Sequence, residues 1–178
     1  MGLVARKEPE TKVTLDTPAG LVRARARVEN GRVRQVAFEN VPAFLVVSQF
    51  PLAVPDFGTV VVDISFGGNF FALVNAGQLG LEICPDCLPD LVRAGMAIRE
   101  AANQQINVQH PTQSHIHTID LVELYQNYTG PEKGQRNAVI FGKGQVDRSP
   151  CGTGTCAKMA ALYAKGELHL GEVYTSES

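Results

Sequence analysis

The run Thr59–Phe66, with the sequence TVVVDISF, is β-branched or aromatic at all but two positions. Such a run is typical of a strand that is buried on both faces, because it lacks a regular alternation of apolar and polar residues. The turn signal Gly67-Gly68-Asn69 follows it, and a second apolar run then extends from Phe70 to Val74. The sequence therefore predicts two buried strands joined by a tight turn.

The second half of the chain combines helical and extended patterns. Apolar residues recur at near-helical spacing between Pro89 and Ile106, which predicts the longest helix. A second helix is predicted to begin after Cys151 and to end at Gly166. Further strands are predicted at residues 116–125, 137–141 and 172–174. This mixture of elements predicts an α/β (α+β) fold.

The segment from Lys12 to Asn40 reads as short strands separated by the turn signals Pro18-Ala19-Gly20 and Glu29-Asn30-Gly31. It is therefore predicted to be an antiparallel meander with one solvated face. Three arginines alternate with apolar residues, and a period of two places them together on that face. They are Arg23, Arg25 and Arg27.

A proline-rich segment between Val41 and Gly58 is predicted to separate two domains. Its prolines, Pro42, Pro51 and Pro55, lie among apolar residues, which favours a crossing between subdomains over a flexible linker. We place residues 1–50 in a first domain of antiparallel strands and residues 51–178 in a second domain.

Composition narrows the classes of partner. The 178 residues include 16 basic and 18 acidic residues without long blocks, which excludes a charge-driven nucleic-acid or anionic-membrane binder and favours a small-molecule ligand. No apolar run approaches the roughly 20 residues of a membrane span, and the N-terminus lacks a secretory signal pattern. We therefore expect a cytoplasmic protein with reduced thiols at its four cysteines, which are Cys84, Cys87, Cys151 and Cys156.

The segment Ser149–Thr155, with the sequence SPCGTGT, carries the strongest chemical signal. It places Cys151 where a strand and a tight turn give way to a helix, and its glycines let backbone amides approach a ligand closely. The positive end of the helix should favour thiolate over thiol and lower the pKa of Cys151. A cysteine in this position is suited to proton transfer or to nucleophilic attack.

Asp147 lies four residues before Cys151 and can receive an ammonium group. The amides of Gly152 and Thr153 can hold a carboxylate, so that one loop grips both ends of an amino acid and aims its α-carbon at Cys151. The alternative is a buried structural cysteine at the start of a helix, which is common for free cysteines.

Other motif interpretations have less support. The segment lacks the order of a phosphate-binding P-loop. A cysteine hydrolase would need a histidine base, which the four histidines leave open but unsupported. Cys84 and Cys87 have the C-x-x-C spacing of zinc and redox sites, yet no second pair accompanies them, so we expect a structural or incidental role.

The segment 147–157 (DRSPCGTGTCA) closely resembles the second cysteine motif of proline racemases and hydroxyproline epimerases. Other stretches resemble the same family in the same order, so that the resemblance covers nearly the whole chain. They are residues 15–20 (LDTPAG), 40–44 (NVPAF), 62–70 (VDISFGGNF) and 137–142 (NAVIFG).

The resemblance implies a diaminopimelate epimerase-like fold, with a mixed sheet around a central helix in the second domain. It also implies an isomerase in which two cysteines invert the α-carbon of 4-hydroxyproline or proline, without a cofactor or a metal. Cys151 would be one acid/base, Asp147 would bind the substrate amine, and Gly152 and Thr153 its carboxylate. Phe141 would wall the pocket.

The same resemblance assigns a pocket histidine, for which His117 is the candidate. It also leads us to expect the first cysteine motif and a last segment outside these 178 residues. A hydroxyproline dehydratase, or an inactive ligand-binding fragment, therefore stays an alternative. The form of residues 151–159 resembles hydroxyproline epimerases more than proline racemases, and the expected partners are a small-molecule substrate and, as a possibility, a second copy in a homodimer.

Overall fold

The computed structural model describes residues 4–128, 130 and 132–178. The chain divides into two compact units, Met1–Val41 and Pro42–Ser178. The boundary that we placed after residue 50 instead falls within a strand of the second unit, so the observed division lies at residue 41.

The first unit is the predicted meander, with the strand order β1-β2-β3. The strands are β1 (Glu10–Thr17), β2 (Gly20–Glu29) and β3 (Arg32–Glu39), paired antiparallel throughout. The arginines at 23, 25 and 27 are exposed as expected. Asn30 and Gly31 both have positive φ, of 51° and 69°, which is the backbone of a two-residue hairpin turn.

The second unit is built on a seven-stranded mixed sheet in the order β10-β8-β7-β6-β5-β4, with β9 paired to β8. The pairs β6/β7 and β8/β10 are parallel, and the other pairs are antiparallel. The strands are β4 (Phe44–Val54), β5 (Gly58–Phe66), β6 (Phe70–Asn75), β7 (Ile119–Asn127), β8 (Gly134–Phe141), β9 (Gln145–Val146) and β10 (Thr175–Glu177).

The segment that we predicted to be a crossing between domains is therefore largely strand β4. Pro51 lies within β4, where it has no N–H to donate. An edge strand tolerates this loss, and β4 is the last strand of its sheet. The pairing also shifts register between Val47 and Phe50, and Gln49 between them has φ 51°.

Strand β6 and the second half of β5 form the centre of the core, as the apolar runs predicted, whereas Thr59 and Val61 in the first half of β5 are exposed. Ser65 is buried with its apolar neighbours, and every residue from Phe70 to Val74 is buried. The turn 67–69 joins the two strands, and the Gly67 amide donates to the Asn69 carbonyl over 3.1 Å.

Helix α1 (Leu88–Gln105) is the longer of the two α-helices in the described residues and matches the predicted helix closely. Its buried positions recur every three or four residues: Leu91, Ala94, Gly95, Ile98, Ala101 and Ala102. A Cβ on Gly95 would lie 2.8 Å from the Ile140 side chain, so the glycine allows α1 to approach β8 closely. None of the described helices is long and apolar enough to cross a membrane.

Helix α2 (Gly152–Ala164) covers the other face of the sheet. Val139 packs in one cluster with Ala157 and Ala161 of α2, whereas the next residue, Ile140, meets α1. Because adjacent residues of a strand point to opposite faces, the sheet lies between the two helices. Cys151 lies at the N-terminal end of α2, where the predicted helix begins.

Candidate active site around Cys151

Cys151 lies in the junction between β9 and α2. It occupies the N-cap position of α2 with φ 58° and ψ 94°. Positive φ is uncommon for a residue other than glycine, asparagine or aspartate, and such strained positions concentrate at functional sites. The backbone therefore agrees with a functional cysteine better than with an ordinary capping residue.

The loop before the thiol is organised by hydrogen bonds to Asp147. Its Oδ1 accepts from the backbone N–H and from the hydroxyl of Ser149, each over 2.9 Å. The Ser149 hydroxyl oxygen accepts in turn from the Cys151 amide over 3.2 Å. One oxygen of the predicted ammonium-binding carboxylate thus shapes the loop that carries the cysteine.

The predicted carboxylate-binding amides lie at the start of α2. The Thr155 amide donates to the Cys151 carbonyl over 2.8 Å, which is the first hydrogen bond of the helix. The amides of Gly152 and Thr153 come before that bond, where a helix offers them no backbone acceptor of its own. They can therefore receive an anion at the positive end of the helix.

The thiol of Cys151 is buried against the apolar face that α2 shares with the sheet, with Phe71, Leu73 and Val139 in the same cluster. Burial raises its pKa to about 11. A side-chain hydrogen bond from Thr153 and the Gly154 amide oppose this shift, and the charges of Asp147 and Glu123 add to it. Our expectation of a lowered pKa is wrong for this structure, because burial outweighs the helix end.

Phe141 and His117 have different surroundings. Phe141 ends β8 opposite Leu121 and lies on the same face as Val139, which packs in the Cys151 cluster. His117 is exposed in the loop before β7, with its Nδ1 3.3 Å from the Ser114 carbonyl oxygen. The pocket role of Phe141 thus gains support from the register, whereas the described contact of His117 lies within its own loop.

A cavity of about 800 Å³ borders the loop on the side of Asp147 and Pro150. Cys84 lines it as well, whereas Cys151 does not. The cavity therefore lies beside the loop and is not lined by the buried sulfur of Cys151. We base the candidate site on the loop and on the start of α2 instead.

Cys84 immediately precedes a single turn of 3-10 helix (Pro85–Cys87) in which Cys87 is the last residue, and all four cysteines are free thiols. A hydrogen bond that the Cys87 thiol donates to the Cys84 side chain is the largest of the causes that raise the pKa of Cys87. Among the residues that the structure describes, no group of three or more His, Cys, Asp or Glu side chains is arranged to hold a metal ion.

Four buried polar residues that the sequence analysis missed lie on the α2 side of the sheet: Glu123 on β7, Gln135 and Asn137 on β8, and Lys158 on α2. Gln135 Nε2 donates to Glu123 Oε1 over 2.5 Å. Lys158 Nζ lies 3.2 Å from the ring centroid of Tyr125. One signal was available, because position 158 shares the helical spacing of the buried residues Gly154, Ala157 and Ala161.

A family model described as proline racemase matches residues 1–178. The chain belongs to the proline racemase family. The resemblance drawn from the cysteine motif and the other stretches is thereby confirmed.

Relatives named proline racemase or 4-hydroxyproline 2-epimerase resemble the chain over nearly its whole length. Proline racemase of Clostridioides difficile is 51% identical over 177 residues, which are 99% of this chain and 53% of that protein. 4-Hydroxyproline 2-epimerase 1 of Rhizobium rhizogenes is 39% identical, over 99% of this chain and 51% of that protein. The chain therefore spans about half the length of these relatives.

A crystal structure of a hydroxyproline epimerase from Agrobacterium vitis, with bound trans-4-hydroxy-L-proline, superposes with a TM-score of 0.90. It is 37% identical, and the match covers 98% of this chain and 51% of that one. This likeness confirms the predicted α/β (α+β) fold class with its mixed sheet.

Proposed function

We propose that the protein is a cofactor-independent amino-acid racemase or epimerase in which Cys151 is one of two acid/base groups. The observation that carries this proposal is the position of the Cys151 thiol, at the start of α2 beside the amides of Gly152 and Thr153 and after the Asp147 loop. Membership of the proline racemase family supports the reaction class.

The loop and the helix end supply opposite charges for the two ends of an amino acid. The substrate carboxylate binds the Gly152 and Thr153 amides, where the helix favours an anion. The ammonium group binds the Asp147 carboxylate. With both ends of the amino acid held, its α-carbon faces Cys151. The apolar part of its side chain, which is a ring in proline, packs against Phe141.

The reaction needs one group that removes the α-proton and another that delivers a proton to the opposite face. The pKa of about 11 keeps Cys151 as a thiol at neutral pH, which is the form that donates. An opposing base takes the α-proton, the Cys151 S–H bond breaks as its proton passes to the α-carbon, and Cys151 is left as thiolate. In the reverse direction this thiolate removes the proton. Such a mechanism assigns no task to a metal or a cofactor.

Proline is the substrate that we propose, with 4-hydroxyproline as the second candidate. Proline racemases of two bacteria and of Trypanosoma cruzi are 47–51% identical to this chain, whereas 4-hydroxyproline 2-epimerases are 38–39% identical. Identity over the whole chain outweighs the form of residues 151–159, on which the expectation of hydroxyproline depended. A single ring hydroxyl is distinguished by a few pocket contacts.

We also propose that the unit Pro42–Ser178 is the epimerase domain that contributes Cys151, and that Met1–Val41 is part of the first epimerase domain. The relatives are about twice as long as this chain, and in our proposal the opposing acid/base group belongs to the part of the whole protein that these residues do not include. His117 stays only a candidate for the histidine of the substrate pocket.

The test is exchange of the α-hydrogen of proline and of 4-hydroxyproline in deuterated water, followed by NMR, with the whole gene product. We expect exchange with inversion, and at least a hundredfold loss in Cys151→Ser. Cys156→Ser is the matched control and should retain activity. Absence of exchange with either amino acid refutes the proposed reaction. Full activity in Cys151→Ser refutes the assignment of the thiol, and release of ammonia or water would favour a dehydratase.

A further inference from the structure

The carboxyl group of Glu123 and the sulfur of Cys151 both approach the position that a side chain on Gly154 would occupy. A Cβ added to Gly154 would collide with Glu123 Oε2 and would lie 3.3 Å from Cys151 Sγ. The absence of a side chain at Gly154 therefore leaves room for a buried acid close to the Cys151 thiol.

The carboxyl group of Glu123 is only partly satisfied. Its Oε1 accepts from Gln135, whereas Oε2 has no hydrogen-bond partner among the described residues. The neighbouring Gln135 Oε1 and Asn137 Oδ1 are also buried acceptors without a partner there. Burying an unpartnered ionised oxygen is costly, so the neutral acid is favoured, and burial raises the pKa of Glu123 to about 7.

A cation, Lys158 of α2, lies near Glu123 in this cluster. The hydrogen bond from Gln135 favours the ionised carboxylate, and so do the positive charge of Lys158 on α2 and the nearby side-chain amide of Asn137. Burial lowers the pKa of Lys158 itself to about 8. The polar and titratable groups that face Glu123 are Gln135 and Asn137 of β8, Lys158 and Cys151 at α2, Tyr125 of β7 and Tyr174 before β10.

We propose that Glu123 is a positioning residue that controls the protonation of the Cys151 thiol across Gly154. Below about pH 7 the carboxyl is neutral and leaves the thiol unaffected. Above it the negative charge opposes formation of a thiolate, which keeps Cys151 in its proton-donating form. The inference deepens the proposed function and rests on it, but its test needs no turnover.

The experiment compares Glu123→Gln with the parent protein in a background where Cys151 is the only thiol within residues 1–178, made by Cys84→Ser, Cys87→Ser and Cys156→Ala, and peptide mass spectrometry assigns the modification to Cys151. The rate constant for modification of Cys151 by methyl methanethiosulfonate is measured from pH 5.5 to pH 9. We expect the ratio of variant to parent to be near one below pH 6, to rise through pH 7, and to reach about tenfold above pH 8.

Glu100→Gln is the matched control, because Glu100 is an exposed acid on α1, across the sheet from α2. The ratio of the modification rate constant of Glu100→Gln to that of the parent should stay near one at every pH. A ratio for Glu123→Gln that does not change with pH overturns the proposal, since a merely structural effect on access to the thiol would be independent of the ionisation of residue 123.

A second measurement covers the case in which Glu123→Gln fails to fold. In the same cysteine-substituted background with Glu123 intact, the ¹³C resonance of the Cys151 Cβ should show a minor inflection near pH 7 before the thiol itself titrates. A flat resonance through pH 7 overturns the inference. A pH-dependent ratio in a protein that exchanges neither proline nor hydroxyproline would refute the proposed reaction while retaining the coupling of the two groups.

Discussion

The Ser65 hydroxyl oxygen lies 2.8 Å from the carbonyl oxygen of Ala157, and so connects β5 directly to α2. The same hydroxyl lies 2.9 Å from the Phe44 carbonyl oxygen on the edge strand. Ser65 is fully buried, and Gly67 two residues later packs against the Thr153 carbonyl. The strand and its turn therefore fix the position of the first turns of α2, which begin at Cys151.

Ser65→Ala should lower the free energy of unfolding by about 1–2 kcal/mol, because a buried hydrogen bond is lost while little volume is removed. Urea denaturation followed by circular dichroism measures the change. Ser114→Ala, at an exposed loop serine, is the matched control and should change the value by less than about 0.5 kcal/mol. Equal effects of the two substitutions would contradict the anchoring role of Ser65.

Gly154→Ala should destabilise the protein by about 1–3 kcal/mol, although alanine is normally preferred over glycine in a helix. The reason is the collision of the new methyl group with Glu123 Oε2 and its tight contacts with Phe71 and Cys151. Combining it with Glu123→Ala should restore part of the loss, and a double-mutant cycle measures that coupling. Strictly additive effects would mean that the two residues do not compete for the same space.

The sequence predicted most helices and strands of the fold, but it did not predict which strands pair with one another. The apolar run of β5 and the helical spacing of α1 were sufficient to locate both, because each pattern is local. Pro51 was interpreted as part of a crossing, since only the pairing of strands reveals that β4 is an edge strand where proline is tolerated.

The candidate site likewise contains features that the sequence could predict and features that it could not. The loop from Asp147 to Thr153 could be predicted, because its residues are adjacent in the chain. Glu123 could not, because a glutamate within a strand normally faces solvent, and its burial depends on β8 and α2 covering it. The raised pKa of Cys151 was missed for a related reason: the helix end is visible in the sequence, whereas the burial that outweighs it is not.

Asp147→Asn should raise the KM for substrate in the exchange assay by at least tenfold, because the ammonium group loses its counter-charge. The amide oxygen can still accept the Ser149 hydrogen bonds, so the free energy of unfolding should change by less than about 1 kcal/mol. The pKa of Cys151 should fall, since the Asp147 charge contributes to raising it. An unchanged KM would remove Asp147 from the substrate site.

The raised pKa of Glu123 makes folding stability depend on pH in a defined direction. The folded protein holds a proton on Glu123 up to about pH 7, whereas the unfolded chain releases it near the ordinary value of 4.5. The folded state therefore binds more protons between these values, and its stability falls as pH rises through this window. The full difference corresponds to about 3 kcal/mol for this buried group.

Glu123→Gln should remove that part of the pH dependence, because glutamine remains neutral while keeping a similar shape. The free energy of unfolding is measured with urea at pH 4.5, 6 and 8. The value for the variant minus the value for the parent should increase by about 2–3 kcal/mol from pH 4.5 to pH 8. Other acids titrate equally in both proteins and cancel in the difference. A difference that stays constant with pH would show that Glu123 is ionised in the folded protein throughout, held so by Lys158.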